Sequence, residues 1–223
     1  MTALSRPLSA IEARVLGTLM EKARTVPDTY PLSLNLVVTG CNQKTSREPV
    51  LTVTEMEAAQ ALDELRALGL VQDMSGSRVT RYRHNVQRRL DVPEQSEVLL
   101  GLLMLRGPQT AGELRLNAER WYRFLDISSV EGFLEELAAR PGEKGGALTV
   151  RLPRTRGERE ARWAHLLCGP HQEGHPDAHD TSGAGADGQN DRLSRLEREV
   201  EQLRQIVEQL RASDCPALTN PRT

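Results

Sequence analysis

The sequence predicts an α+β chain, mainly helical with small β-hairpins. Three observations carry this: an internal repeat, helix-capping boxes that open amphipathic segments, and a hairpin pattern that closes each copy of the repeat. Val15-Leu16-Gly17-Thr18-Leu19-Met20 returns as Leu99-Leu100-Gly101-Leu102-Leu103-Met104, and Leu62-Asp63-Glu64-Leu65 returns as Leu134-Glu135-Glu136-Leu137. The two offsets are 84 and 72, so the first copy carries about twelve extra residues somewhere between Glu21 and Thr54. Two homologous modules are the economical explanation.

In each module the pattern predicts three helices followed by a hairpin. Ser9 and Glu12 form a capping box, in which the hydroxyl takes an orphan backbone N–H and the carboxylate reaches back to the cap. Ile11, Val15, Leu16, Leu19 and Met20 then recur at helical spacing, so one face of that helix is buried. Arg24 and Pro27 mark its end. Thr54 and Glu57 repeat the box before Ala58, Leu62, Leu65 and Leu68, and Gly69 sits where a left-handed residue ends the helix. Leu70 to Met74 and Arg78 to His84 flank Ser75-Gly76-Ser77 and predict a β-hairpin. In module two, Val98 to Leu105 predicts the first helix, Thr110 with Glu113 caps the second, and Ser128 with Glu131 caps the third. Leu148 to Leu152 and Ala161 to Leu167 are its predicted strands, joined by a basic loop from Pro153 to Glu160. The expected boundaries are 1–90 and 91–169 for the modules, with the joint at residues 85–93, then a linker over 170–190, a helix over 191–212 and a disordered tail over 213–223.

With 223 residues, 38% of them hydrophobic, the chain is long enough for two cores. No apolar run approaches a membrane span, and the opening segment has no basic start or apolar signal stretch, so no membrane role is expected. Cys41, Cys168 and Cys215 are far apart and odd in number; no disulfide framework is expected, and the cytoplasm is the default compartment. Net charge is −2, distributed as +3 over residues 1–90, −1 over 91–170 and −4 over 171–223, so only the first module leans basic. Three lysines, Lys22, Lys44 and Lys144, stand among 29 cationic residues, and this arginine bias weakens any inference to nucleic acid from arginine alone. Aromatics at 3% are too few for base-stacking platforms.

Three helices plus a hairpin is the plan of the winged helix-turn-helix, and two such modules in tandem are expected. The strings Cys41-Asn42-Gln43-Lys44, Arg47-Glu48-Pro49, Ser75-Gly76-Ser77-Arg78, Tyr82-Arg83-His84-Asn85, Leu105-Arg106-Gly107-Pro108-Gln109-Thr110 and His165-Leu166-Leu167 resemble the YceH family of uncharacterised bacterial proteins. The resemblance runs from about Leu8 to Gly169. It implies tandem winged-helix domains and brings no catalytic residues with it.

A winged helix that binds DNA lays its third helix in the major groove and touches phosphates with basic groups on helix and wing. Here Glu55, Glu57, Asp63 and Glu64 stand against Arg66 in the first module, and Glu131, Glu135 and Glu136 against Arg140 in the second. Both helices would repel phosphate. The wings are basic instead. Arg78, Arg81, Arg83 and His84 lie on the first hairpin, with Arg88 and Arg89 beyond it, and Arg154, Arg156 and Arg159 lie in the second hairpin loop. These residues suit phosphates or an acidic protein surface, or are solvated arginines in an arginine-biased chain. The extra residues of module one are expected near Pro27 to Pro31 or over Thr39 to Pro49, and the latter stretch carries Asn42, Gln43, Lys44 and Arg47, side chains that read adenine edges and phosphate, or else hold backbone groups in a packing loop.

Cys41 has no histidine or resolving cysteine nearby in sequence, which argues against a nucleophile. His165, His171, His175 and His179 cluster around Cys168, yet most fall in a Gly- and Pro-rich stretch, so no metal site is assigned. Trp121-Tyr122-Arg123-Phe124 reads as core filling, or as a surface where the modules meet. Leu193, Leu196, Val200, Leu203, Val207 and Leu210 form an a/d seam that predicts a parallel homodimer, with folding back onto the modules as the rival. No phosphate-cradling loop, metalloprotease motif or nucleophile elbow appears, so no enzyme and no cofactor is expected. Two readings result: a regulatory protein that binds double-stranded DNA through its wings and the Asn42 to Arg47 loop, and a winged-helix scaffold that binds protein partners through its acidic third helices.

Overall fold

The computed structural model describes residues 4–74, 79–154 and 158–170. The linker, the heptad seam from Leu193 to Leu210 and the tail lie outside these described residues, as do Arg78 and Arg156.

The described chain is mixed α+β, and the repeat read in the sequence is a repeat of structure. Helix α1 spans Ala10–Thr25 and opens on the Ser9–Glu12 box, with both reciprocal bonds present. Strand β1 (Leu32–Ser33) leads into α2 (Leu34–Cys41), and α3 (Glu55–Ala67) opens on the Thr54–Glu57 box. Gly69 then takes φ +74, a left-handed conformation that side chains other than glycine rarely adopt, and turns the chain into β2 (Val71–Met74). Strand β3 (Arg81–His84) pairs antiparallel with both β2 and β1, in the order β1-β3-β2, with Leu32 opposite Tyr82 and Val71 opposite His84.

After the short α4 (Val86–Leu90), the plan recurs as α5 (Glu94–Arg106), α6 (Ala111–Ala118), α7 (Ile127–Ala138), β4 (Thr149–Arg151) and β5 (Trp163–His165). A single bridge between Gln109 and Trp163 occupies the place that β1 holds in module one. The excess length of module one divides around α2, part of it before the helix in Pro27–Ser33 and part after it in Asn42–Thr54.

Two details differ from expectation. Helix α5 begins at Glu94, a turn before Val98, because its first turn is polar and apolar spacing does not register it. The cap of α7 is Asp126, whose carboxylate accepts from the Ser129 N–H at 2.7 Å and the Ser129 hydroxyl at 2.6 Å, while Ser128 falls inside the helix. A carboxylate at a helix N-terminus gains from the dipole as well as the hydrogen bond, and this start points Val130, Leu134 and Leu137 inward.

Among the described residues, helices α1 and α5 make the largest helix–helix contact. Every residue of Glu12–Glu21 is buried, and so is every residue of Ser96–Leu105, as expected of helices covered on all sides. Helix α5 serves both cores: Leu100 and Met104 pack into the module-one core, and Leu99, Leu102 and Leu103 into that of module two. The helices approach closely where the repeat places its two equivalent glycines. A Cβ on Gly17 would lie 2.9 Å from Leu105 Cγ, and one on Gly101 would lie 2.7 Å from the Trp121 ring and 3.2 Å from Met20 Cε.

This crossing sets a test. Gly101→Ala gains helix propensity of about 1 kcal/mol but must displace a rigid ring, and overpacking costs typically about 1–3 kcal/mol, so a net loss of stability is expected in urea unfolding. Gly132→Ala on α7, where nothing lies within 4 Å of the added carbon, is the control and should be neutral or stabilising.

Candidate functional site

The loop after α2 carries four of the sequence-selected residues, and its polar atoms are largely committed internally. Asn42 sits at the C-cap of α2, donating through Nδ2 to the Val53 carbonyl at 2.8 Å and accepting the Val53 N–H through Oδ1 at 2.7 Å. Arg47 is buried. Its guanidinium meets Glu21 at 2.6 Å and 3.2 Å and also donates to the Gly40 carbonyl and to Gln43 Oε1. Burial pushes the Glu21 carboxyl up, but the bonds and charges of Arg47 and Lys22 outweigh it and hold the group below the usual carboxylate range. Gln43 Oε1 additionally accepts from Lys22 at 3.3 Å. Only Lys44 of the four is exposed. Asn42 and Arg47 therefore act as internal ties rather than as readers of a ligand, because a buried guanidinium without its carboxylate would cost several kcal/mol.

The same loop fastens module one to module two. The Glu48 N–H donates to the Leu105 carbonyl at 2.8 Å, satisfying an orphan acceptor in the last turn of α5, and Arg106 donates to the Ser46 hydroxyl at 2.7 Å. Arg14, buried in α1, reaches the Cys41 and Pro49 carbonyls and closes the base of the loop. Cys41 itself is fully buried, and desolvation pushes its thiol up, which leaves it a packing residue.

The first hairpin presents its basic residues as strand alternation requires. Arg81 and Arg83 are exposed on one face of β3, while Tyr82 and His84 turn inward. Arg81 donates to the Pro31 carbonyl at 2.9 Å, and Arg83 donates twice to Gln72 Oε1. Among the described residues neither forms an ion pair, so their charges remain available.

His84 behaves differently from its arginine neighbours, because it faces the module junction. Its Nε2 lies 3.7 Å from a carboxylate oxygen of Glu97 on α5, and its backbone N–H donates to the Tyr30 hydroxyl at 2.7 Å. Desolvation, aided by Arg24 and Arg83, lowers the imidazole to about 4, and burial pushes the Glu97 carboxyl above the usual range. Arg24 bridges to α5 as well, pairing with Glu94 and lying 3.8 Å from Glu97.

In module two, Arg154 is exposed, and Arg151, Arg154 and Arg159 share a cleft of about 660 Å³ with Glu131 and Glu160. Arg162 turns away from it to pair with Glu113 at 2.9 Å. Phe124 is core, whereas Trp121 packs against both cores, so the aromatic run divides between the two roles expected of it. His165 is half-buried on β5; His171, His175 and His179 lie outside the described residues.

The third helix of each module shows acid to solvent. On α3 the exposed positions include Glu55, Asp63 and Glu64, and Asp63 pairs with Arg66 at 3.1 Å. Helix α7 exposes Glu135 and Glu136 and contains no basic residue. Sequence reasoning missed the junction constellation of Arg24, Tyr30, His84 and Glu97, because Glu97 falls in the polar first turn of α5, just before its apolar run, and reads there as an ordinary N-terminal acid.

These features define a tandem-repeat α+β protein whose distinctive surfaces are paired acidic helices and basic hairpins. The family model described as "Protein of unknown function, DUF480" matches residues 8–158, and the chain belongs to that family. It is 62% identical over 208 residues to a UPF0502 protein of Albidiferax ferrireducens, covering 91% of this chain and 89% of the relative. It is 67% identical over 165 residues to a UPF0502 protein of Paracidovorax citrulli, covering 74% and 71%. A third, from Delftia acidovorans, is 61% identical over 200 residues, 88% of each chain.

Two predictions rest on the internal groups. Arg47→Met leaves Glu21 buried without its main partner and should cost about 3–5 kcal/mol in chemical denaturation, whereas Glu21→Met with Arg47→Met should cost much less. The unfolded chain protonates His84 near 6.5 but the fold resists until about 4, so its contribution is complete above 6.5 and is lost as pH falls through that window. His84→Gln should therefore shrink the drop in urea midpoint between pH 7 and pH 4.5.

Proposed function

We propose that the protein is a non-enzymatic binding scaffold built from two tandem winged helix-turn-helix modules, which docks a basic protein surface on its acidic third helices. The observation that carries this reading is the exposed carboxylates of α3 and α7, Glu55, Asp63 and Glu64 with Glu135 and Glu136. In a winged helix these positions would face the phosphates of a major groove, where like charge costs affinity and steers encounter away. The internal roles of Asn42 and Arg47 support the same ordering, since they remove the base-reading candidates from the surface. No helix of the described residues is long and apolar enough to cross a membrane.

One observation favours DNA as a second reading: Arg81 and Arg83 stand exposed on one strand face with no carboxylate partner among the described residues. Wing contacts of that kind bind phosphate without sequence preference. In either reading, homodimerisation through the heptad seam would double the docking surface, and a 1–185 truncation should then lower the mass in solution by more than the residues removed.

Fluorescence anisotropy of the full-length protein against duplex DNA across a salt series separates the two. The scaffold reading expects no binding even at low salt, together with cross-linked protein partners that are lost on Glu135→Lys with Glu136→Lys. Micromolar affinity with a steep salt slope, abolished by Arg81→Glu with Arg83→Glu, would overturn it in favour of DNA.

A further inference from the structure

At the joint between the modules a cavity of about 300 Å³ opens between the N-terminal segment Leu4–Pro7, the end of α4 and the hairpin end of module two. Four cations line it, Arg6, Arg89, Arg140 and Lys144, and no carboxylate does. The acids nearby stand beyond the wall: Glu12 and Glu64 hold Arg6, and Asp91 lies 3.8 Å from the Lys144 ammonium. Arg140 is held differently from Arg6 and Lys144. Its N–H groups donate to the Leu90, Asp91 and Lys144 carbonyls, and among the described residues it makes no ion pair. Burial pulls its pKa down, and the charge of the nearby Asp91 carboxylate offsets this only in part. Apart from Ser5 and Gly145 the rest of the wall is aliphatic, with Leu90, Leu148 and Leu167 largely buried in it.

We propose that this cavity binds a small amphipathic anion, a carboxylate or phosphate monoester carried on a short aliphatic body. The charged end would sit against Arg140 and Lys144, where partial burial strengthens the attraction over that at an open surface, and the body would cover Leu90 and Leu148. The volume lies at the lower end of the range for ligand pockets, which fits a molecule of this size and excludes a large cofactor. Arg89 and Leu90 end module one, and Arg140, Lys144 and Leu148 belong to module two, so the ligand contacts both modules at their joint. A ligand that binds only the folded, docked arrangement stabilises it by mass action. The inference is independent of what α3 and α7 contact.

The test is isothermal titration and thermal melting of the full chain with octanoate and with octyl phosphate below their micellar concentrations, beside octanol and inorganic phosphate. Saturable binding of either amphiphile with a rise in Tm is expected, and which one binds more tightly identifies the head group. Lys144→Glu, at an exposed position that leaves the core untouched, should weaken binding at least tenfold, and Arg140→Gln should do the same if it folds. Absence of saturable binding by both amphiphiles, equal binding of octanol or of inorganic phosphate, or an unchanged affinity in Lys144→Glu would overturn the proposal.

Discussion

The close crossing of α1 on α5 is the constraint on which the rest of the structure depends. Each helix is the first of its module, and each carries its glycine at the equivalent repeat position, Gly17 and Gly101. Because neither glycine has a side chain at the crossing, Leu105 packs on one and Met20 with the Trp121 ring on the other. That approach gives α5 two apolar faces to cover, and it divides its leucines between two cores. The modules consequently share a central pair of helices instead of meeting through a thin interface, which raises the cost of separating them.

A helix pair buried on all sides accepts charges only where polar partners meet them: Arg14 is held by the Cys41 and Pro49 carbonyls, and the charged groups towards the helix ends are met by opposite charges. Near the C-terminal part of α1, Glu21 is matched by Arg47 from the loop after α2, and the loop reaches onward to the Leu105 carbonyl, which has no partner within its own helix. On the other side, Arg24 meets Glu94 and Glu97, and His84 from the first hairpin faces the same carboxylate. Buried ion pairs contribute little net stability against apolar alternatives, but they discriminate strongly against misaligned packing. Here Arg24 and His84 span the two modules through Glu94 and Glu97, whereas Glu21 and Arg47 tie α1 to the loop within module one. The additional length of module one is thereby explained without a ligand, since it supplies Arg47 to that tie and Ser46 and Glu48 to the junction.

Surface chemistry follows from what the junction uses up. Arg47 and Arg14 are withdrawn from solvent, and Asn42 and Arg24 partly so, which leaves Arg81 and Arg83 on the hairpin, with Lys44, Arg66 and Arg88, as outward cations of module one. The acids of α3 and α7 stay outside, because each helix spends its apolar face on its own core. At the joint, Arg140 holds the chain through the Leu90 and Asp91 carbonyls and donates to the Lys144 carbonyl within its own module, so its hydrogen bonds go to neutral groups and only the charge of Asp91 acts on it from nearby.

Much of the architecture was legible in the sequence because it is written in local patterns. The repeat, the capping boxes at Ser9, Thr54 and Thr110, the left-handed Gly69 and both hairpins depend on residues within a few positions of one another, and neighbouring backbone chemistry decides them. The cap of α7 was misplaced from Asp126 to Ser128 because two acceptors stood two residues apart and only the packing of Val130, Leu134 and Leu137 chooses between them. The fate of polar residues was not legible at all. Asn42 and Arg47 look like surface readers in sequence and are internal ties in the fold, while Glu97 and His84, unremarkable as a pair 13 positions apart, meet at the junction. Sequence alone determined most of the helices and the hairpin strands and that they come twice, but not β1 or the short α4, which lies where a joint was expected. The tertiary structure decided which charges are spent, because burial and pairing depend on contacts between residues far apart in the chain, and local pattern carries no information about those distances.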